Sequence, residues 1–276
     1  MLIVKIATIS IGLIAIFFIA KKLLRQAKHK HLLNMPFPDE WIKIIEKNVP
    51  LYNRIPESLK KQLHGLMNIF LAEKKFEGCG GLEITDEIKI TIAAQACMLL
   101  LNRKTSYFHK LHTILVYPHT YIAKTISSND RVIVEGQDAR LGESWQNGPV
   151  VLAWDSVTGG TSNIHDARNV VIHEFAHQLD QEDGSADGAP ILEKSSRYIT
   201  WAKVLGQEYE TLQRKKKKHR RSILNKYGAT NPAEFFAVAT ETFFEKPKQM
   251  KKKHQELYEE LRNYYKLDPA EWMQAD

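Results

Sequence analysis

Apolar and polar positions follow three regimes along this chain. The first is an uncharged apolar stretch from Ile6 to Ala20, followed at once by Lys21, Lys22, Arg25, Lys28 and Lys30. Crossing a bilayer takes about 20 apolar residues. The stretch reaches that length if residues 1–4 contribute and Lys5 snorkels to the interface. The expectation is a transmembrane anchor over 1–20, a basic juxtamembrane linker over 21–38 and a single domain over 39–276. Positive charge after the apolar run places that domain in the cytoplasm, with the protein single-pass in the cytoplasmic membrane. The alternative is a cleaved signal peptide, or a chain that is simply cytoplasmic, although Phe18-Ile19-Ala20-Lys21 offers a poor cleavage site.

The second regime is helical. Residues 39–49 and 57–75 carry apolar side chains at helical spacing, with Leu59, Leu63, Leu66, Ile69 and Phe70 on one face. Met35-Pro36-Phe37-Pro38 interrupts any continuous helix before them. Gly78, Gly80 and Gly81 predict a turn, and Thr85 then opens a helix that is apolar nearly all round and therefore buried. The third regime is short and β-branched: residues 112–117, 131–135 and 149–154, separated by turn signals, read as strands. Helical spacing returns over 169–179, 197–212, 231–244 and 254–265. Helices outnumber strands and the strands cluster mid-chain. This predicts an α+β domain with a mixed or antiparallel sheet.

Composition changes this picture little. Among 276 residues, 43% are hydrophobic and 26% charged, which fits a folded domain and excludes wholesale disorder. The net charge of +7 sits in lysine-rich runs such as 214–221. These runs lack interleaved aromatics, and no RRM, zinc-finger or helix-turn-helix signature is present, so direct nucleic-acid binding is not expected. Solvated loops, or contact with an anionic membrane surface, are the readings they favour. Two cysteines, Cys79 and Cys97, give no disulfide framework.

The chemistry lies in residues 171–180, VIHEFAHQLD. On a helix, His173 and His177 stand one turn apart on one face. Both imidazoles can reach one zinc ion, with Glu174 offset between them to take a proton from a metal-activated water. Two histidines and a glutamate satisfied by core hydrogen bonds would be the structural alternative. A catalytic zinc site keeps three protein ligands and an open position. Asp180 is the nearest third ligand in sequence, or else a group that orients an imidazole from behind. Glu234 stands in an otherwise apolar helical segment, where a lone charge needs a partner. Either a metal or the helix N-terminal dipole supplies one. Glu241, seven residues on, shares its face and can orient the site. Tyr227 can donate to a developing oxyanion, or simply pack at its turn.

Assembled, these segments resemble the Mlc titration factor A peptidases, bacterial zinc-dependent gluzincins of the glucose-regulated metallopeptidases. The resemblance runs from about Trp41 onward. It is carried by residues 76–82 (FEGCGGL), 92–97 (IAAQAC), 142–145 (GESW) and 148–152 (GPVVL), and most specifically by 169–180 (NVVIHEFAHQLD) and 231–238 (NPAEFFAV). It implies a zincin-like metallopeptidase fold with zinc held by His173, His177 and Glu234. Glu174 is then the general base, Tyr227 the transition-state donor, and Asp180 a supporting residue. It also implies aminopeptidase-like activity on peptides and binding of a transcriptional repressor of sugar uptake. A non-catalytic zinc protein that sequesters a regulator is the second reading. Residues 149–154, just before the zinc helix, are expected to lay peptide substrate along an edge strand.

Overall fold

The computed structural model describes the backbone of residues 2–104, 106–119, 121–122, 139–140, 142–144, 148–162 and 167–272. The chain begins with three helices: α1 (Leu2–Leu33), α2 (Asp39–Asn48) and α3 (Glu57–Glu73). Strand β1 (Lys75–Gly78), helix α4 (Asp86–Met98) and strand β2 (Thr113–Tyr117) follow. The short strands β3 (Tyr121–Ile122), β4 (Ala139–Arg140) and β5 (Gly142–Ser144) precede β6 (Val150–Ala153). Then come α5 (Trp154–Ser162), α6 (Val170–Asp180), α7 (Arg197–Lys217) and α8 (Pro232–Glu245). The chain closes with α9 (Pro247–Lys253), α10 (Gln255–Tyr265) and α11 (Pro269–Trp272).

The expected fold class needs correction on two counts. The main sheet runs β1-β2-β6-β5, and its β1–β2 and β2–β6 pairs are parallel. Three parallel strands in a mostly helical chain stand where the sequence predicts a mixed or antiparallel mid-chain sheet. The reason is topological. Helix α4 lies between β1 and β2, and a crossover of that kind returns the chain in the same direction. Within this sheet, among the described residues, only the three-residue β5 runs against its neighbour, β6; β3 and β4 form a separate antiparallel pair. Residues 149–154 are also not an edge: β6 is flanked by β2 on one side and β5 on the other, so its main chain cannot accept a peptide. The strand read at 131–135 lies outside the described residues.

The second correction concerns the anchor. Among the described residues, no helix is long and apolar enough to cross a membrane. The single-pass placement in the cytoplasmic membrane falls with it. Length gives the physical reason. The uncharged run Ile6 to Ala20 is 15 residues, about 22 Å of helix, against a hydrocarbon core of about 30 Å. Helix α1 continues straight through the lysine cluster, and its C-terminal third docks on α3. Arg25 pairs with Glu73 at 3.4 Å, and His29 Nε2 lies 2.6 Å from the other Glu73 oxygen. Asn68 donates to the carbonyls of Leu32 and Met35. Gly65 lets the chain pass closely, since a Cβ there would sit 2.8 Å from the Leu33 carbonyl oxygen.

The core forms where α6 packs on the sheet and the apolar faces of α3, α4 and α8 close around α6. Helix α4 starts where Thr85 caps Ile88 N–H and is buried over most of its length, as its unbroken apolar sequence requires. Phe175 of α6 packs its ring against Phe70 and Phe108 at 5.6 and 5.0 Å. Val171, Ile172, Ala176 and Leu179 complete the buried face of α6. Burying these side chains, at about 1.5–3 kcal/mol for each large one, fixes how α6 is rotated. That rotation decides where its polar residues point.

Candidate metal centre

Helix α6 is set from its first residue. Asn169 is the N-cap: its Oδ1 accepts the Ile172 N–H at 3.0 Å and its carbonyl accepts the His173 N–H. Helix α8 begins in the same way. Asn231 Oδ1 accepts the Glu234 N–H at 2.9 Å, and Pro232 occupies the first turn, where its missing N–H costs nothing. The two helices pack side by side, and their polar faces meet.

At that meeting, three ligating atoms converge. His173 Nε2 lies 3.2 Å from His177 Nε2 and 2.9 Å from Glu234 Oε2. His177 Nε2 is 3.4 Å from the same Glu234 oxygen. One atom from each residue falls within 4.8 Å of the other two, a spacing that can hold a metal ion. Two imidazole nitrogens facing each other beside a carboxylate have little reason to converge unless a cation or proton lies between them. The donor set of two nitrogens and one oxygen suits zinc, with a fourth position left for a non-protein ligand. The residues therefore fit such an ion.

Behind His173 stands Glu241. His173 Nδ1–H donates to Glu241 Oε1 at 2.7 Å, because a carboxylate oxygen only accepts. Glu241 Oε2 accepts the Asn169 backbone N–H, also at 2.7 Å. With Nδ1 committed to Glu241, His173 presents Nε2 to Glu234 and His177, the orientation a metal ligand needs. Glu174 is buried on the same helix, close enough to act on the charge of His173.

The electrostatics favour a positive charge at this point. Burial opposes charge on His173, but Glu241, Glu234 and Glu174 outweigh it and hold its imidazole well above the usual range. Burial also pushes Glu234 up, yet its bonds to His173 and His177 win and bring it down to about 2. Glu241 is raised by burial against the pull of His173.

Asp180 lies outside this convergence. It is fully buried, and its Oδ2 accepts the Gly188 N–H at 3.0 Å. Burial raises its carboxyl to about 6. It ties the loop after α6 in place, one turn beyond His177. Tyr227 stands on the 3-10 turn Lys226–Ala229, its ring centroid 6.1 Å from that of His173 and its side 54% exposed. A pocket of about 560 Å³, lined in part by Arg103, Trp201, Arg197 and Tyr264, contains none of the converging residues.

The sequence reading passed over two contributors to this site, Asn169 and Gln95. An Asn immediately before a helical apolar run is a cap signal, and a lone amide within the apolar α4 asks for a buried partner. Gln95 Oε1 accepts from Asn169 Nδ2 at 2.8 Å.

Similar chains are known. A family model described as glucose-regulated metallo-peptidase M90 matches residues 23–266. The uncharacterized protein slr2042 of Synechocystis sp. is 39% identical over 244 residues, 88% of this chain and 89% of that protein. Mlc titration factor A of Klebsiella pneumoniae is 29% identical over 81% of this chain and 84% of its own length. Its namesake from Yersinia pestis is 27% identical over 80% and 83%.

Proposed function

This chain belongs to the glucose-regulated metallo-peptidase family M90, and on that premise we propose that it is a zinc-dependent peptidase of aminopeptidase type. The convergence of His173 Nε2, His177 Nε2 and Glu234 Oε2 carries the reading. Those three side chains hold the ion. Bound there, zinc supplies a Lewis acid that acidifies water and polarises a carbonyl. Glu174 receives the proton of the attacking water on its carboxylate and passes it to the leaving amine nitrogen. Tyr227 donates its hydroxyl to the carbonyl oxygen as charge develops there. Glu241 fixes the His173 ring, and Asp180 fixes the loop beyond His177. Residues 39–276 form the peptidase domain. Among the described residues β5 ends the sheet order, so its outer main-chain edge, rather than β6, receives the peptide in extended form.

A second reading draws on the printed name of two relatives, Mlc titration factor A. In it the chain keeps zinc and acts by sequestering a transcriptional repressor, with or without hydrolysis. The two are separated by assaying the full chain, loaded with zinc, on aminoacyl reporters and on short peptides with free or blocked N-termini. The peptidase reading predicts cleavage that requires a free N-terminus, and its loss in Glu174→Gln. A zinc-loaded protein that cleaves no reporter, and whose Glu174→Gln variant behaves identically, would refute it in favour of sequestration.

A further inference from the structure

We propose that Gln95, on a helix that contributes no residue to the converging group, is a positioning residue for the metal centre, acting through Asn169 and Glu241 on His173. The proposal rests on the zinc reading above and extends it to residues that touch no ligand.

A chain of hydrogen bonds runs inward from α4 to His173. The Thr91 carbonyl can only accept, so the Gln95 amide must turn its Nε2 toward it, at 3.0 Å. That leaves Gln95 Oε1 facing Asn169, which must answer with its own NH2, at 2.8 Å. The Asn169 Oδ1 is thereby aimed at Ile172 N–H, where it caps α6. Each amide has one orientation because its neighbour permits only one. Asn169 is thus held on three sides, and its backbone N–H is presented to Glu241 Oε2. Glu241 has both oxygens engaged, one by Asn169 and the other by His173 Nδ1–H. The chain from Thr91 to His173 is buried or nearly so throughout, where an unmatched polar group is costly and a matched one rigid. It welds α4, α6 and α8 together at the point where the imidazole must be aimed. Release of Asn169 from Gln95 frees its peptide to turn. Glu241 then loses one of two anchors, and the ring it orients loosens.

The test is zinc affinity of the full chain, by chelator competition, for Gln95→Met, Asn169→Asp and the double variant. Gln95→Met keeps length and removes both amide bonds. Asn169→Asp keeps the cap, since Asp caps as well as Asn, but sets oxygen against Gln95 Oε1. Residues orienting a metal-ligating histidine typically contribute 10–100-fold to affinity; one link farther out, each single variant should lose about three- to tenfold. Both break the same link, so the double variant should be no worse than the weaker single within about twofold. Parental affinity in either single variant, or losses that multiply in the double, would overturn the proposal. If Gln95→Met does not fold, Asn169→Asp decides alone. A parent that takes up no zinc overturns the zinc reading and this proposal together, whereas zinc uptake unchanged in the variants overturns this proposal only.

Discussion

Gly188 leaves little room for a side chain, and Gly188→Ala should be strongly destabilising. Its φ of +79° lies in the left-handed region, which costs a residue with a Cβ about 1–2 kcal/mol. The added carbon would also stand 2.5 Å from the Pro232 carbonyl oxygen and 2.8 Å from its carbon, against 3.4 Å for ordinary contact. These are backbone atoms and cannot rotate away. Either the start of α8 retreats by nearly an ångström, or the loop lifts. Lifting breaks the Gly188 N–H bond to Asp180 and the Trp201 indole bond to the Gly188 carbonyl. The first is made to a carboxylate and contributes about 1.5–3 kcal/mol, the second about 1. With the backbone term, the expected loss is about 3.5–6 kcal/mol, read from urea unfolding of the metal-free protein. Pro232 stands two residues before Glu234, so zinc affinity should fall as well. A variant within about 0.5 kcal/mol of the parent, the range of an ordinary surface change, with unchanged zinc affinity, would refute this account of how the loop aligns α6 with α8.

Lys74 gives a pH-dependent prediction. Burial brings its ammonium down from 10.5 to about 8, with Glu73 opposing and Arg25 assisting, while its Nζ donates to the carbonyls of Phe108 and Leu111. The folded state therefore holds this proton less tightly than the unfolded state. The cost of the charge is fully present below about pH 8 and disappears as pH rises towards the unfolded value. Relative to Lys74→Met, the parent should gain roughly 2–3 kcal/mol between about pH 7 and 10.5. A pH-independent difference in urea unfolding would contradict this. Tyr227→Phe should lower kcat by about 10–100-fold, with zinc content and KM little changed, as expected for a donor used only in the transition state; an unchanged kcat would remove Tyr227 from the mechanism. Glu241→Gln offers one acceptor where the site needs two, so zinc affinity should fall by about 10–100-fold, and parental affinity would argue against its orienting role.

Much of the α6–α8 geometry was legible in the sequence because its signals are local. His173 and His177 at a four-residue spacing define a helix with two imidazoles on one face. Glu234 between apolar neighbours, after Asn231-Pro232, stands at a helix start with an unmet need for a partner. The strands were harder. Runs such as residues 112–117 announce burial, but their β-branched side chains carry no information about direction, which the crossovers set. Helix α5 is hidden in the sequence because Gly159 and Gly160 weaken its local preference, and β1 looks like the end of α3 and a turn. The N-terminal run was read by hydropathy alone. Its continuation into α1 and the docking of Arg25 and His29 on Glu73 depend on a partner 44 to 48 residues away. Gln95 was invisible for the same reason: its partner Asn169 is 74 residues on.

The central claim is that His173, His177 and Glu234 form one zinc site. The most direct test is elemental analysis of the purified full chain, beside Glu234→Ala and His177→Ala, after equilibration with limiting zinc. One tightly held zinc per parent chain, resistant to mild chelation, is expected. Each variant should lose it while keeping the parent's helical content. A parent without stoichiometric metal, or variants that hold zinc as tightly as the parent, would contradict it.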